Sequence, residues 1–270
     1  MQKYMFGLLL VLSVLSVGCL TPDLKIKDHR ASFLFDNAHT RVMNMLAYNV
    51  DDNTFNGVIN RCKGNNDTVI YLYAGYNKGD GPGTTSIYID DKFGGSIDNN
   101  KVKLMQKRME KIRDNKLYIV GWLFPDDNGG KINFGDTDAL KLYINNVVAN
   151  FDEYISEYVI GIEANEYMSA AQVDQLASYL KRKVNKPVGN HQTSGRYDYS
   201  ASGNIDKHYH QYGFNQPVAK IESETKKIVG ALKKPVIGAE YDMSSDSDGA
   251  KSRGDAVIRG GGSGTGNGRN

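Results

Sequence analysis

The sequence predicts one α/β domain, a closed (β/α)8 TIM barrel, on three observations. Short apolar runs alternate with amphipathic helical stretches along the chain, which is the pattern of a parallel sheet. Eight such runs are strand candidates, and 270 residues suit one barrel. The segment after the first run, Asp36-Asn-Ala-His39, has no glycine-rich turn, so an open doubly wound sheet is disfavoured.

Each element has a local reason. Ala31 to Asp36 reads as the first strand. Arg41 to Cys62 holds helical stretches on either side of a polar interruption near Asp51. Thr68 to Ala74 is the second strand, rich in β-branched and aromatic residues. A long polar connection, Gly75 to about Asn99, follows; loops of that length usually serve a function or stay disordered. Lys101 to Asp114 is helical, with Val102, Met105, Met109 and Ile112 on one stripe. Lys116 to Leu123 is the third strand. Asp136 to Tyr158 holds a helix capped by Asp136 or Thr137. Val159 to Ala164 is the fourth strand, Ser169 to Lys183 a helix opened by Ser169, and the fifth strand starts at Pro187 to Asn190. Ile205 to Tyr212 contains the sixth strand. Pro217 opens a helix that runs to Leu232. Pro235 to Glu240 is the seventh strand and Asp255 to Ile258 the eighth, with no helix after it.

The two ends differ from the middle. Residues 1–18, with Lys3 and the apolar run Gly7 to Val17, read as a secretory signal, too short for a convincing span. Leu15-Ser-Val-Gly-Cys19 resembles a bacterial lipoprotein signal, which implies acylation of Cys19; a plain cut near Gly18 is the alternative. Residues 19–30 are then a linker, 31–259 the barrel, and the glycine-rich 260–270 a tail that is either flexible or laid over one mouth. The expected location is secreted or cell-envelope, with membrane contact only through a lipid on Cys19. A formal charge of +2 and scattered lysines give no nucleic-acid stripe. Two cysteines give no disulfide framework, and Cys62 reads as inert. A monomer without cofactor is expected.

The chemistry sits at two strand ends. Val159-Ile-Gly-Ile-Glu-Ala-Asn-Glu166 and Lys234-Pro-Val-Ile-Gly-Ala-Glu240 each finish in a glutamate, where barrel strands deliver catalytic groups. Two carboxyls at one mouth are the minimal equipment for glycosidic cleavage: one protonates the leaving oxygen, the other attacks the anomeric carbon. Glu163 competes with Glu166. Alternation would turn them to opposite faces unless a bulge intervenes.

Asn165-Glu166 after strand four, Glu240 after strand seven and His210-Gln-Tyr212 on strand six together resemble clan A of the glycoside hydrolases. The resemblance implies a (β/α)8 barrel and a retaining mechanism, with Glu166 as acid/base and Glu240 as nucleophile. It also implies that Asn165 bonds the sugar hydroxyl beside the reacting carbon, and that His210 and Tyr212 orient Glu240. The chain departs from that pattern in lacking an arginine on strand two and a tryptophan on strand eight.

Other expected sugar contacts are Trp122, the single tryptophan, as a stacking platform, His191 after strand five, and Asp36 and His39 after strand one. Tyr73, Tyr76 and Tyr167 are candidates to join Trp122, and Asp126 and Asp127 follow strand three. His208 and His210 share one face of a strand, yet no Asp or Glu falls at a convincing spacing to complete a metal site with His191. The other readings are a catalytically inactive, carbohydrate-binding barrel and, more weakly, a metal-dependent hydrolase.

Overall fold

Strands and helices alternate as the apolar runs foretell. A computed structural model describes residues 39–42, 51–64, 69–78, 84–125, 132–213, 215–241 and 247–267. The strands are β1 (His39–Val42), β2 (Val69–Tyr73), β3 (Tyr76–Lys78), β4 (Thr84–Ser86), β5 (Tyr118–Phe124), β6 (Glu157–Gly161), β7 (Val188–Gln192), β8 (Lys207–Gln211), β9 (Val236–Glu240) and β10 (Gly264–Asn267). The helices are α1 (Asp52–Gly64), α2 (Asn99–Asp114), α3 (Thr137–Phe151), α4 (Ala170–Lys181), α5 (Val218–Leu232) and α6 (Ser247–Arg259). Eight strands close a barrel in the order β1-β10-β9-β8-β7-β6-β5-β2, with β1 parallel to both β10 and β2.

Local chemistry sets the helix starts. Asp98 and Asp136 accept backbone N–H groups at the heads of α2 and α3. Ser169 and Gln172 form a reciprocal capping box at the head of α4. The apolar stripe expected on α2 is buried at Val102, Met105, Met109 and Ile112.

Four expectations are corrected. The first barrel strand is His39–Val42; Ala31 to Asp36 lies outside the described residues, as do the signal segment, Cys19, Asp126 and Asp127. Asp36 therefore precedes the first barrel strand in the chain instead of following it. The Gly75 to Asn99 connection contains the antiparallel β3–β4 hairpin, whose Tyr76 joins Tyr88 and Phe93 in an aromatic cluster. Between β7 and β8 the crossover carries only a 3-10 turn, Asp198–Ala201. Finally, Asp255 to Ile258 belongs to α6, and the eighth strand is β10, inside the glycine-rich segment. A boundary at 259 would therefore cut the barrel.

Glycine explains that last correction. A Cβ on Gly262 would meet Val257 Cγ1 at 2.5 Å and Val257 O at 2.8 Å, and Gly261 takes φ +90°. Only a chain without side chains turns this tightly from α6 into β10.

The barrel has two packed shells. Tyr71, Trp122, Val159, Tyr209 and Ile237 fill its lumen, while the helices bury a larger shell outside. Low in the lumen a fully buried ion pair joins Lys207 Nζ to Glu157 Oε2, and the Tyr209 hydroxyl donates to Glu157 Oε1 at 2.6 Å.

Candidate active site

The site stands where β6, β7, β8 and β9 end. On β8, alternation sends Lys207, Tyr209 and Gln211 inward, as their lumen partners show, and His208, His210 and Tyr212 outward. The β8–β9 register then slips. His210 faces Gly238, but Gln211 faces Glu240, so Ala239 is an extra residue on β9. Gly238 looks toward the helices, its Cα backed by Val257 and Tyr212. Plain alternation would send Glu240 the same way; the bulge brings it round to Gln211. The Tyr212 N–H fixes the Glu240 carbonyl at 2.7 Å.

Glu163 arrives by a different device. β6 ends at Gly161, and alternation stops there. Glu163 takes a left-handed backbone, φ 46° and ψ 38°, and its N–H donates to His191 Nδ1 at 2.9 Å. The half-buried Glu163 and Glu240 then meet at one group. Gln211 Nε2 donates to Glu163 Oε1 and, at 2.8 Å, to Glu240 Oε2. Two hydrogen bonds to one nitrogen hold the two oxygens within about 6 Å, which accommodates the roughly 5–5.5 Å of a retaining carboxyl pair.

The expected residues fall as follows. Glu166 is exposed on the 3-10 turn Ala164–Glu166, beyond Glu163. The carboxylate joined to Glu240 through Gln211 is thus Glu163, the expected competitor. Both ends of the Asn165 amide are taken by Thr193: Oδ1 accepts the Thr193 N–H at 2.9 Å and Nδ2 donates to its hydroxyl at 2.8 Å. Asn165 therefore clamps the β6 loop to the β7 loop.

His210 and Tyr212 do not face the mouth. They lie on the outer face of β8, where Tyr212 shares a hydrogen bond with Thr225 at 2.5 Å. His210 Nε2 meets Glu224 Oε1 at 3.0 Å, its Nδ1 meets His208 Nε2 at 3.0 Å, and His208 Nδ1 meets Ser200 Oγ at 2.8 Å. The His210 bond holds the Glu224 carboxyl below its ordinary range, and burial pushes His208 well below the usual imidazole range. Their part is to tie the β7–β8 crossover to α5.

Trp122 is also not an open platform. It is 2% exposed, with ring centroids 5.4 Å from Tyr71, 5.8 Å from Tyr209 and 5.2 Å from His191. These rings plug the lumen beneath the carboxylates. His191 is fully buried, and burial, followed by the charge on His210, takes its pKa to about 3. It is therefore neutral, with Nδ1 accepting and Nε2 carrying the proton. Among the described residues His191 Nε2 and Trp122 Nε1 are buried without hydrogen-bond partners. Tyr73 fills the lumen and Tyr76 the hairpin cluster. Tyr167 packs on Phe134 and donates to the Ile162 carbonyl at 2.5 Å.

Gln211 is the residue that the sequence reading passes over. It stands between His210 and Tyr212, and its signal is that it shares the other face of the strand with Lys207 and Tyr209.

No protein-family model and no curated protein matches the chain. Solved structures do. An endo-1,4-β-mannanase from Rhizomucor miehei superposes with a TM-score of 0.66 at 15% identity, covering 87% of this chain and 85% of that one. A family 5 glycoside hydrolase from Bacteroides vulgatus gives 0.63 at 14% identity over 86% and 58%. A family 113 β-1,4-mannanase gives 0.59 at 11% identity over 88% and 89%. Against three longer structures, the family 5 hydrolase among them, the chain spans 52% to 61% of their length. At such identities the likeness is one of fold: this chain has the (β/α)8 barrel on which those hydrolases are built.

Proposed function

We propose that the chain is a retaining glycoside hydrolase acting on a polysaccharide or glycan by double displacement, with Glu163 as acid/base and Glu240 as nucleophile. The supporting observation is the pair of carboxylates on one Gln211 amide, at the C-terminal ends of the fourth and seventh barrel strands. In this reading Glu163 protonates the leaving oxygen while Glu240 bonds the anomeric carbon. Glu163 then takes a proton from the water that releases the sugar. The signal segment and Cys19 fit a secreted or envelope-anchored protein, which radiolabelled palmitate incorporation at Cys19 would test.

Because two of the similar structures are mannanases, β-1,4-mannan leads the substrate panel. Reducing-end release and the anomeric configuration of the first product, followed by NMR, are the readouts. Retention is expected. Glu163→Gln and Glu240→Gln should each lower turnover on the order of 10³-fold, while Glu166→Gln stays within about twofold of wild type. Unchanged hydrolysis by folded Glu240→Gln overturns the mechanism, and glycan binding without cleavage by wild type turns the protein into a carbohydrate-binding barrel.

A further inference from the structure

Glu163 and Glu240 meet the same atom of the Gln211 amide; an ionised Glu240 only accepts, so that atom is the nitrogen with its two hydrogens. The structure spends one on each carboxylate. Gln211 is itself held at the β8–β9 bulge, in register with Glu240 and next to the bond from the Tyr212 N–H to the Glu240 carbonyl. A donor at this place has a consequence for the reaction.

We infer that Gln211 is a positioning residue that donates to the pair's single negative charge through both halves of the double displacement. The inference rests on the hydrolase reading above. Before attack, Glu240 is ionised and Glu163 holds the proton. In the first step the Glu240 oxygen bonds the anomeric carbon, the bond to the leaving oxygen breaks, and the Glu163 proton goes to that oxygen. Glu240 is now a neutral ester and Glu163 is the carboxylate. In the second step the water oxygen bonds the anomeric carbon, the ester bond breaks, the water proton goes to Glu163, and the charge returns to Glu240. The charge therefore alternates between two carboxyl groups, one at each end of the bridge made by a single amide nitrogen. A donor already placed at each end meets it without reorganisation, the condition under which fixed dipoles stabilise a transition state best.

The test is a double-mutant cycle in the full chain, read by thermal unfolding at pH 7 and independent of any substrate. Gln211→Met keeps length and removes both donors; Gln211→Glu keeps shape and offers acceptors alone at this pH. We expect Gln211→Met to lower Tm by about 3–6 °C and Gln211→Glu to lower it further. Against a Glu163→Leu background, which has no acceptor at that place, Gln211→Met should cost about half as much, because only the bond to Glu240 is left to lose. Equal losses with and without Glu163→Leu overturn the bridge.

A kinetic arm uses the glycoside found active in the panel and an activated aryl glycoside of the same sugar. For Gln211→Met, kcat should fall on the order of 10- to 100-fold on both, with KM within about twofold. A loss confined to the poor leaving group overturns the role in the second half-reaction. The expected thermal cycle without hydrolysis of any glycoside overturns the hydrolase reading and the charge shuttle, and keeps the bridge.

Discussion

The Glu163 N–H donates to His191 Nδ1 across 2.9 Å, from a backbone that stands at φ 46°. A left-handed glutamate is strained by about 1 kcal/mol or more. The imidazole supplies the acceptor that pins it, so His191 fixes the backbone that carries the Glu163 carboxyl.

Removing that acceptor should therefore show in turnover. His191→Phe keeps the ring against Trp122 and leaves the Glu163 N–H without its partner. We expect kcat to drop about 10-fold or more with KM within about threefold. Nitrogen NMR of wild type should find the Nε2–H tautomer of His191 at pH 5 to 8. An Nδ1–H tautomer, or full activity of the variant, would remove this role.

Two buried histidines also set the acid limit of the fold. Burial takes His191 to about 3 and His208 well below the ordinary 6.5. Below about pH 6.5 the unfolded chain binds protons that the folded chain refuses. The stability these groups hold above that pH is lost as pH falls toward 3, by up to about 1.4 kcal/mol per pH unit for each histidine. Urea unfolding between pH 7 and 4.5 should show this fall, with His208→Gln reducing the slope by about half. A flat profile in wild type would show that the imidazoles titrate normally when folded.

These residues mark what a sequence reveals and what it hides. The strands ending in Glu240 and before Glu163 were legible, because β-branched apolar runs flanked by polar residues fit little else. So was the Ser169 cap, which is written in four consecutive residues. Period two told that His208, His210 and Tyr212 share a face, but not that the face meets α5; only the partners on α5, Glu224 and Thr225, decide that. The choice between Glu163 and Glu166 turned on where β6 stops and on one left-handed residue. Neither leaves a period in the sequence. The bulge at Ala239 is equally silent, since one inserted residue looks like any other.

The lumen pair Lys207–Glu157 should be far costlier to break than to replace. Both side chains are fully buried, and Tyr209 satisfies the second Glu157 oxygen. Lys207→Met strands a buried carboxylate, for a loss of about 3–5 kcal/mol. Lys207→Met with Glu157→Gln removes both charges and should recover at least half of it, since a neutral amide can still accept from Tyr209. Chemical denaturation of the three proteins gives the comparison. Equal loss in the single and double variants would mean that the pair matters for shape and not for charge.

The glycine-rich end is either a tail or a barrel strand, and the two differ in what its removal costs. A flexible tail could be removed at no cost. Here Gly264–Asn267 pairs with β9 through Gly264 and Thr265 and with β1 through Thr265, Gly266 and Asn267, so it is the strand that closes the cylinder. Truncation after Arg259 exposes the edges of β1 and β9 and opens the lumen holding Tyr71, Tyr209 and Ile237. The truncated chain should be recovered unfolded or aggregated. A milder probe is Gly262→Ala, whose methyl meets the Val257 carbonyl oxygen at 2.8 Å as well as its side chain. The carbonyl cannot rotate away like a rotamer, so the turn itself must shift. A loss of about 2 kcal/mol or more is expected, against about zero for Gly203→Ala, where a Cβ meets nothing within 4 Å. Wild-type unfolding of the truncated chain would return the segment to a tail and leave the barrel to be closed by some other strand.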